Sequence, residues 1–214
     1  MGKFFRFDGK LGRFLTCCAD LICLNLLTII CSIPVFTVGV SLSAMYYVLY
    51  KMRQDAGGGI LKSFFHAFRE NFKQGAVLSL ASLLFFAILA ADYALASRSE
   101  SSVFRMVLYV LPVVLILGCA VLSWVFPLLS RYRNTEIGIV KCAFAISLSY
   151  PGKTLLMMVI NLIPIAALFA SGKLLAAFAI FGLSLPGYIN CGIIKKPFER
   201  METPAQTDDS DKND

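Results

Sequence analysis

Charge is what this chain has least of. Lys, Arg, Asp and Glu make up 15% of its 214 residues, against about 25% in an ordinary soluble domain. The shortage falls in five stretches: Phe14–Tyr50, Gly75–Ser97, Met106–Ser130, Thr154–Gly172 and Leu174–Ile194. Asp20 and Asp92 are the only ionised side chains inside them. Catalytic motifs are missing too. There is no G-x-x-x-x-G-K-[ST], no H-E-x-x-H and no G-x-S-x-G, which argues against an ATP site, a zinc protease centre or a serine hydrolase elbow. One histidine, His66, and seven scattered cysteines without C-x-x-C pairing do not assemble four zinc ligands. We expect buried free thiols, no cofactor, no metal and no enzyme activity.

What is present is apolar length. Hydrophobic residues form 58% of the chain and mean hydropathy is +0.75. A bilayer core about 30 Å thick takes roughly 20 apolar residues as helix, and four of the five stretches fit. The reading is an all-α polytopic transmembrane bundle, a single helical domain over residues 1–198. An acidic tail from Glu199 to Asp214 lacks periodic apolar residues and is expected to be disordered. In a soluble protein the net charge of +7 would point to nucleic acid. Here loop placement accounts for it, and the expected partner is the lipid bilayer.

The first stretch sets the topology. It spans 37 residues, about 55 Å as one straight helix. Its middle reads Ser32-Ile33-Pro34-Val35-Phe36-Thr37-Val38-Gly39. Proline disfavours helix before it and removes a backbone donor, and Gly39 is free to take a turn conformation. The spacing predicts a helix break at Pro34, Thr37 and Gly39 and two crossings, Phe14–Ile33 and Val38–Tyr50. One kinked helix is the alternative. Two crossings make six in all and leave only Arg98, Arg105 and Lys173, three of the 20 Lys and Arg, on the outer side. That positive-inside bias places both termini in the cytoplasm. The basic start and long first stretch do not read as a cleavable signal.

Phe64, Phe65, Phe68 and Phe72 recur at helical spacing, with Lys62, Arg69 and Lys73 largely between them. This predicts an amphipathic helix at the cytoplasmic interface, lying on headgroups or docking on another membrane protein. A faint repeat joins Ile60-Leu61-Lys62-Ser63-Phe64-Phe65 to Ile139-Val140-Lys141-Cys142-Ala143-Phe144 and suggests a second such element.

Polar residues within apolar sequence are the remaining candidates, because they are costly there and usually paired. Asp20, Asn25 and Asn161 form the candidate intramembrane site, with a proton or solute relay through Asp20 and Asn25. The plainer readings are an Asp20 ion pair with Lys153 or Arg131, and Asn25, Asn161 and Asn190 as interhelical hydrogen bonds. Asp92 falls near the outer end of its stretch.

Three segments carry a resemblance: Asp20-Leu-Ile-Cys-Leu-Asn25-Leu-Leu, the Ser32–Gly39 run, and Ala44-Met-Tyr46-Tyr47. With Ser63-Phe-Phe65-His-Ala-Phe68-Arg-Glu-Asn71-Phe72-Lys73-Gln74, they resemble the YesL family of bacterial membrane proteins, a domain of unknown function. The likeness spans residues 7–75. In that family an acidic residue often stands where this chain has Ser63. Its members tend to be encoded beside carbohydrate ABC importers, sugar-responsive regulators and glycoside hydrolases. The resemblance implies a bacterial cell-membrane protein linked to carbohydrate uptake, an accessory partner of an ABC permease or a sensor kinase, and supplies no catalytic residue. The other class is a small-solute transporter or channel acting as a homo-oligomer.

Overall fold

The computed structural model describes residues 10–54, 59–98, 102–132, 134–170, 178 and 180–202. Among them the fold is all-α. The elements are α1 (Lys10–Cys31), a 3-10 turn (Val35–Thr37), α2 (Val38–Arg53), α3 (Ile60–Glu70), α4 (Phe72–Arg98), α5 (Ser102–Leu129), α6 (Glu136–Ser149), α7 (Pro151–Ala170) and α8 (Ser184–Glu202). Phe178, Ile180 and Phe181 are helical as well. Gly57 and Gly58, the Leu174 start of the last apolar stretch and tail residues 203–214 lie outside the described residues. Residues 199–202 of the expected tail continue α8.

The break at Pro34 is a turn between two helices. Thr37 closes it, its Oγ1 lying 2.7 Å from the Cys31 carbonyl and 2.6 Å from that of Pro34. α1 and α2 pack against each other across it. The reason expected for Gly39 needs correcting. Gly39 sits inside α2, so it supplies no special turn dihedral. A Cβ there would strike the Phe126 ring and the Ser79 hydroxyl and lie 3.1 Å from the Gly75 carbonyl. Gly39 is small so that α2 can approach α4 and α5.

Among the described residues, three to four candidate spans are long and apolar enough to cross a membrane. Val35–Arg53, Phe72–Arg98 and Met106–Leu129 are three of them. α6 and α7 make a fourth only if their pair, bent by 106°, counts as one span. The apolar part of α1, Leu15–Cys31, is shorter. Length and composition thus give three to four candidate spans and a multi-pass membrane protein. Two of the apolar runs are not single helices. The 37-residue run divides at Pro34, and the last run is interrupted at Gly182–Leu183.

The core gathers around α2, which packs against α1, α3, α4, α5 and α8. Leu24, Met45, Leu49, Phe64, Trp124, Met157, Ile194 and Phe198 are buried in it. This corrects the reading of α3. Phe64 is completely buried and Phe68 is half-buried, stacked on Phe64 at 6.0 Å. Only Phe65 and Phe72 remain exposed, at 44% and 40%. The helix turns half its aromatic stripe onto the protein because the Phe64–Ala67 side fits α2.

The faint repeat is structural. α3 leads into α4, and α6 leads into α7, each through a short cap at Asn71 or Tyr150. Phe64, Ala67, Gly75 and Leu78 are buried, and so are Ala143, Ile146, Thr154 and Met157, each 79 residues later. Leu61, Lys62 and Phe65 are exposed, as are Val140, Lys141 and Phe144. The Asn71 amide donates to Ala67 O and the Tyr150 amide to Ile146 O, both at 3.0 Å. Each short helix packs on the long helix before it, α3 on α2 and α6 on α5.

Beyond the core, α4 and α5 pair mainly with each other. From Leu83 to Leu95 only Phe85 and Leu89 of α4 are partly covered, and from Met106 to Leu117 only Val107, Leu108, Leu111 and Val114 of α5. Each set lies on one helical face, and the remaining apolar side chains are open.

Candidate functional site

The polar residues inside the bundle do not converge on one site. Asn25 is fully buried on α1. Its Nδ2 donates to the Phe178 carbonyl at 3.0 Å, and its Oδ1 accepts from the Leu183 and Ser184 amides at 2.8 and 3.1 Å. The first amides of a helix have no partner within it. Asn25 supplies one from another helix, while also holding the helical turn before the break. The Gly182 amide bonds to Phe178 O at 2.8 Å, closing that turn. The interruption was legible in part, since Ser184 followed by Pro186 is a helix-start signal. The partner on α1 was not.

Asn161 and Asn190 form a second contact. Asn190 Nδ2 donates to Asn161 Oδ1 at 2.8 Å, with the Tyr46 hydroxyl at 3.5 Å. It joins α7, α8 and α2. Asn25 and Asn161 therefore serve different joints, and both make the interhelical bonds that were the plainer expectation.

Asp20 takes part in neither, and it makes no ion pair among the described residues. The expected partners are engaged elsewhere. Arg131 lies over the rings of Tyr50, Phe198 and Tyr132 at 5.0, 5.7 and 6.0 Å, and Lys153 over Tyr150 at 5.0 Å. The Asp20 ion pair is thus corrected. Asp20 is half-exposed, so Asp20→Asn is expected to leave stability within about 0.5 kcal/mol of the parent. Thermal melting in lipid particles checks this, and a large loss would show a hidden partner.

Two further polar joints were missed by sequence reasoning. Ser79 Oγ accepts from the Gly39 amide and donates to the Gly75 carbonyl, both at 2.7 Å. Trp124, completely buried, donates from Nε1 to Thr154 Oγ1 at 2.9 Å. Only Trp124 carried a signal, as the sole tryptophan of the chain. Lys51 Nζ donates to Ser63 Oγ at 3.3 Å. A carboxylate at the Ser63 position would face that ammonium. Ser63→Asp is expected to raise stability by about 0.5–1 kcal/mol, with the gain abolished by Lys51→Met. Melting of the four variants in a cycle tests it.

On α3, Arg69 is exposed beside Phe65, and Phe72 and Lys73 open α4. These side chains, with Leu61 and Lys62, make a surface and not a cavity. All seven cysteines are free. Among the described residues no group of His, Cys, Asp and Glu is arranged to hold a metal.

Residues 21–93 match the family model described as protein of unknown function, DUF624. That stretch is similar to the DUF624 domain over about a third of the chain. It takes in Asn25, the Pro34–Gly39 turn, all of α3 and most of α4. Asp20 falls just before it, and the second half of the chain lies beyond it. No curated protein and no solved structure matches the chain.

Proposed function

We propose that the chain is a non-enzymatic accessory or regulatory membrane subunit of the YesL type, serving a bacterial carbohydrate ABC permease or its sensor kinase. One observation carries this reading over transport. Asn25 and Asn161, two of the residues a solute path would use, are tied to other helices, and Asp20 stands apart from them. The carbohydrate link rests on the family resemblance alone. Both termini are placed in the cytoplasm by the charge bias, with the exposed side of α3 as the docking face.

Purification from the native host in lipid-preserving particles, followed by mass spectrometry, tests it. A sugar permease or sensor kinase is expected to accompany the chain. It is expected to be lost on Phe65→Asp, a change on the exposed side that spares the buried Phe64 and Phe68. Repeated recovery of the chain alone would overturn the reading. A C-terminal reporter active only outside the cell would overturn the orientation. The second reading, an oligomeric small-solute transporter, is favoured by the interrupted last helix, since such breaks bind solutes in known transporters. It requires flux in liposomes that contain only this protein.

A further inference from the structure

The paired arms of α4 and α5 flank an open groove of about 530 Å³. Its walls include Phe85, Leu89 and Asp92 of α4 and Met106, Val110 and Val114 of α5. Asp92 is the only charged residue among the described lining side chains. It has no ion pair or hydrogen bond among the described residues. Arg98, six residues on, falls on another side of the helix.

We propose that this groove binds hydrophobic organic cations, with the Asp92 carboxylate as the counter-charge. Three features select that class. The volume lies within the usual range for small-ligand sites, and an apolar wall with very few polar groups is their usual lining. An ionisable side chain among apolar residues is costly without a partner, and among the described side chains no cation stands against Asp92. Phe85 adds an aromatic face, which attracts cations. An anion would meet only negative charge.

The groove is also too short for a helix of another chain. From Phe85 to Asp92 it follows α4 for roughly 10 Å, a third of a bilayer core. It opens between exposed apolar flanks, Ile88 at 52% and Val110 at 58%. A molecule with an apolar body therefore reaches it from the lipid phase, where hydrophobic cations accumulate. This site is separate from the α3 surface and does not rest on the accessory reading.

Full-length protein in phosphatidylcholine nanodiscs, with radiolabelled tetraphenylphosphonium as the probe, tests the proposal against empty discs. Saturable binding is expected, weakened on the order of tenfold or more in Asp92→Asn, as for loss of a charge partner. Val110→Trp, which fills the groove, is expected to weaken it similarly. Asp20→Asn is expected to bind like the parent, and uncharged triphenylphosphine oxide is expected not to compete. Circular dichroism establishes that each variant is folded, with Trp124 fluorescence as a second readout for Asp92→Asn and Asp20→Asn. If Val110→Trp does not fold, the comparison of Asp92→Asn with Asp20→Asn decides. Uptake no greater than in empty discs, parent-like binding by Asp92→Asn, or equal losses in Asp92→Asn and Asp20→Asn would overturn it.

Discussion

Asn25→Ala is expected to destabilise the protein by roughly 3 kcal/mol. The change removes three bonds at once: those to the Leu183 and Ser184 amides, and one of the two on the Phe178 carbonyl, which keeps the Gly182 amide. A buried hydrogen bond contributes about 1 kcal/mol net, and an orphaned buried group costs about 1–3 kcal/mol. In membranes the mean per interhelical bond is lower, about 0.6 kcal/mol, because the unfolded chain also finds partners. Three bonds at that value set a floor of about 2 kcal/mol. The excess expected here comes from location. The two amides open α8, where no carbonyl of that helix can take them. Asn25→Asp keeps the acceptor for both amides and loses the donor to Phe178, so it is expected to fall between parent and Asn25→Ala. The single, buried Trp124 reports unfolding by its fluorescence in a denaturant titration. Parent-like unfolding of Asn25→Ala would show that the break in the last helix is held by something else.

Gly39→Leu carries the other large effect, about 3 kcal/mol or more. Even a single added carbon would displace Phe126 and Ser79, and the Gly75 backbone at 3.1 Å cannot swing aside as a side-chain tip can. Overpacking of a fitted contact costs about 1–3 kcal/mol. Parting the helices also removes the 2.7 Å bond from the Gly39 amide to Ser79. Gly39→Ala is expected to lose less, because alanine recovers part of the helix propensity that glycine lacks. Gly152→Ala is the control. A Cβ at Gly152 meets nothing within 4 Å, and no loss is expected there. If Gly39→Leu and Gly152→Ala melt alike, the approach of α2 to α4 is not a tight one.

These two residues show how far the sequence reached. Both were singled out from their setting: a polar amide in an apolar run, and a glycine beyond a proline. Their functions came out differently. Asn25 was considered beside Asp20 because the two are close along one helix. Its actual partners lie more than 150 residues away, and no local pattern records that distance. Gly39 was read through its own dihedrals, whereas its role depends on what stands opposite. The aromatic repeat on α3 was correct as a period. Its division into buried Phe64 and exposed Phe65 depended on α2.

By itself the sequence determined the class of molecule, the helical state of its segments and the break at Pro34. Those follow from local terms: apolar length against bilayer thickness, proline and glycine against helix, and a motif shared between α3 and α6. Tertiary structure alone decided how many apolar runs remain single long helices, which polar side chains close joints, and which charge is left without a partner. Each of these depends on atoms that meet across helices. In an apolar setting almost every helix face is equally greasy, so hydrophobic pattern cannot choose among them. Close fit and a few hydrogen bonds make that choice, and both are properties of the assembled bundle.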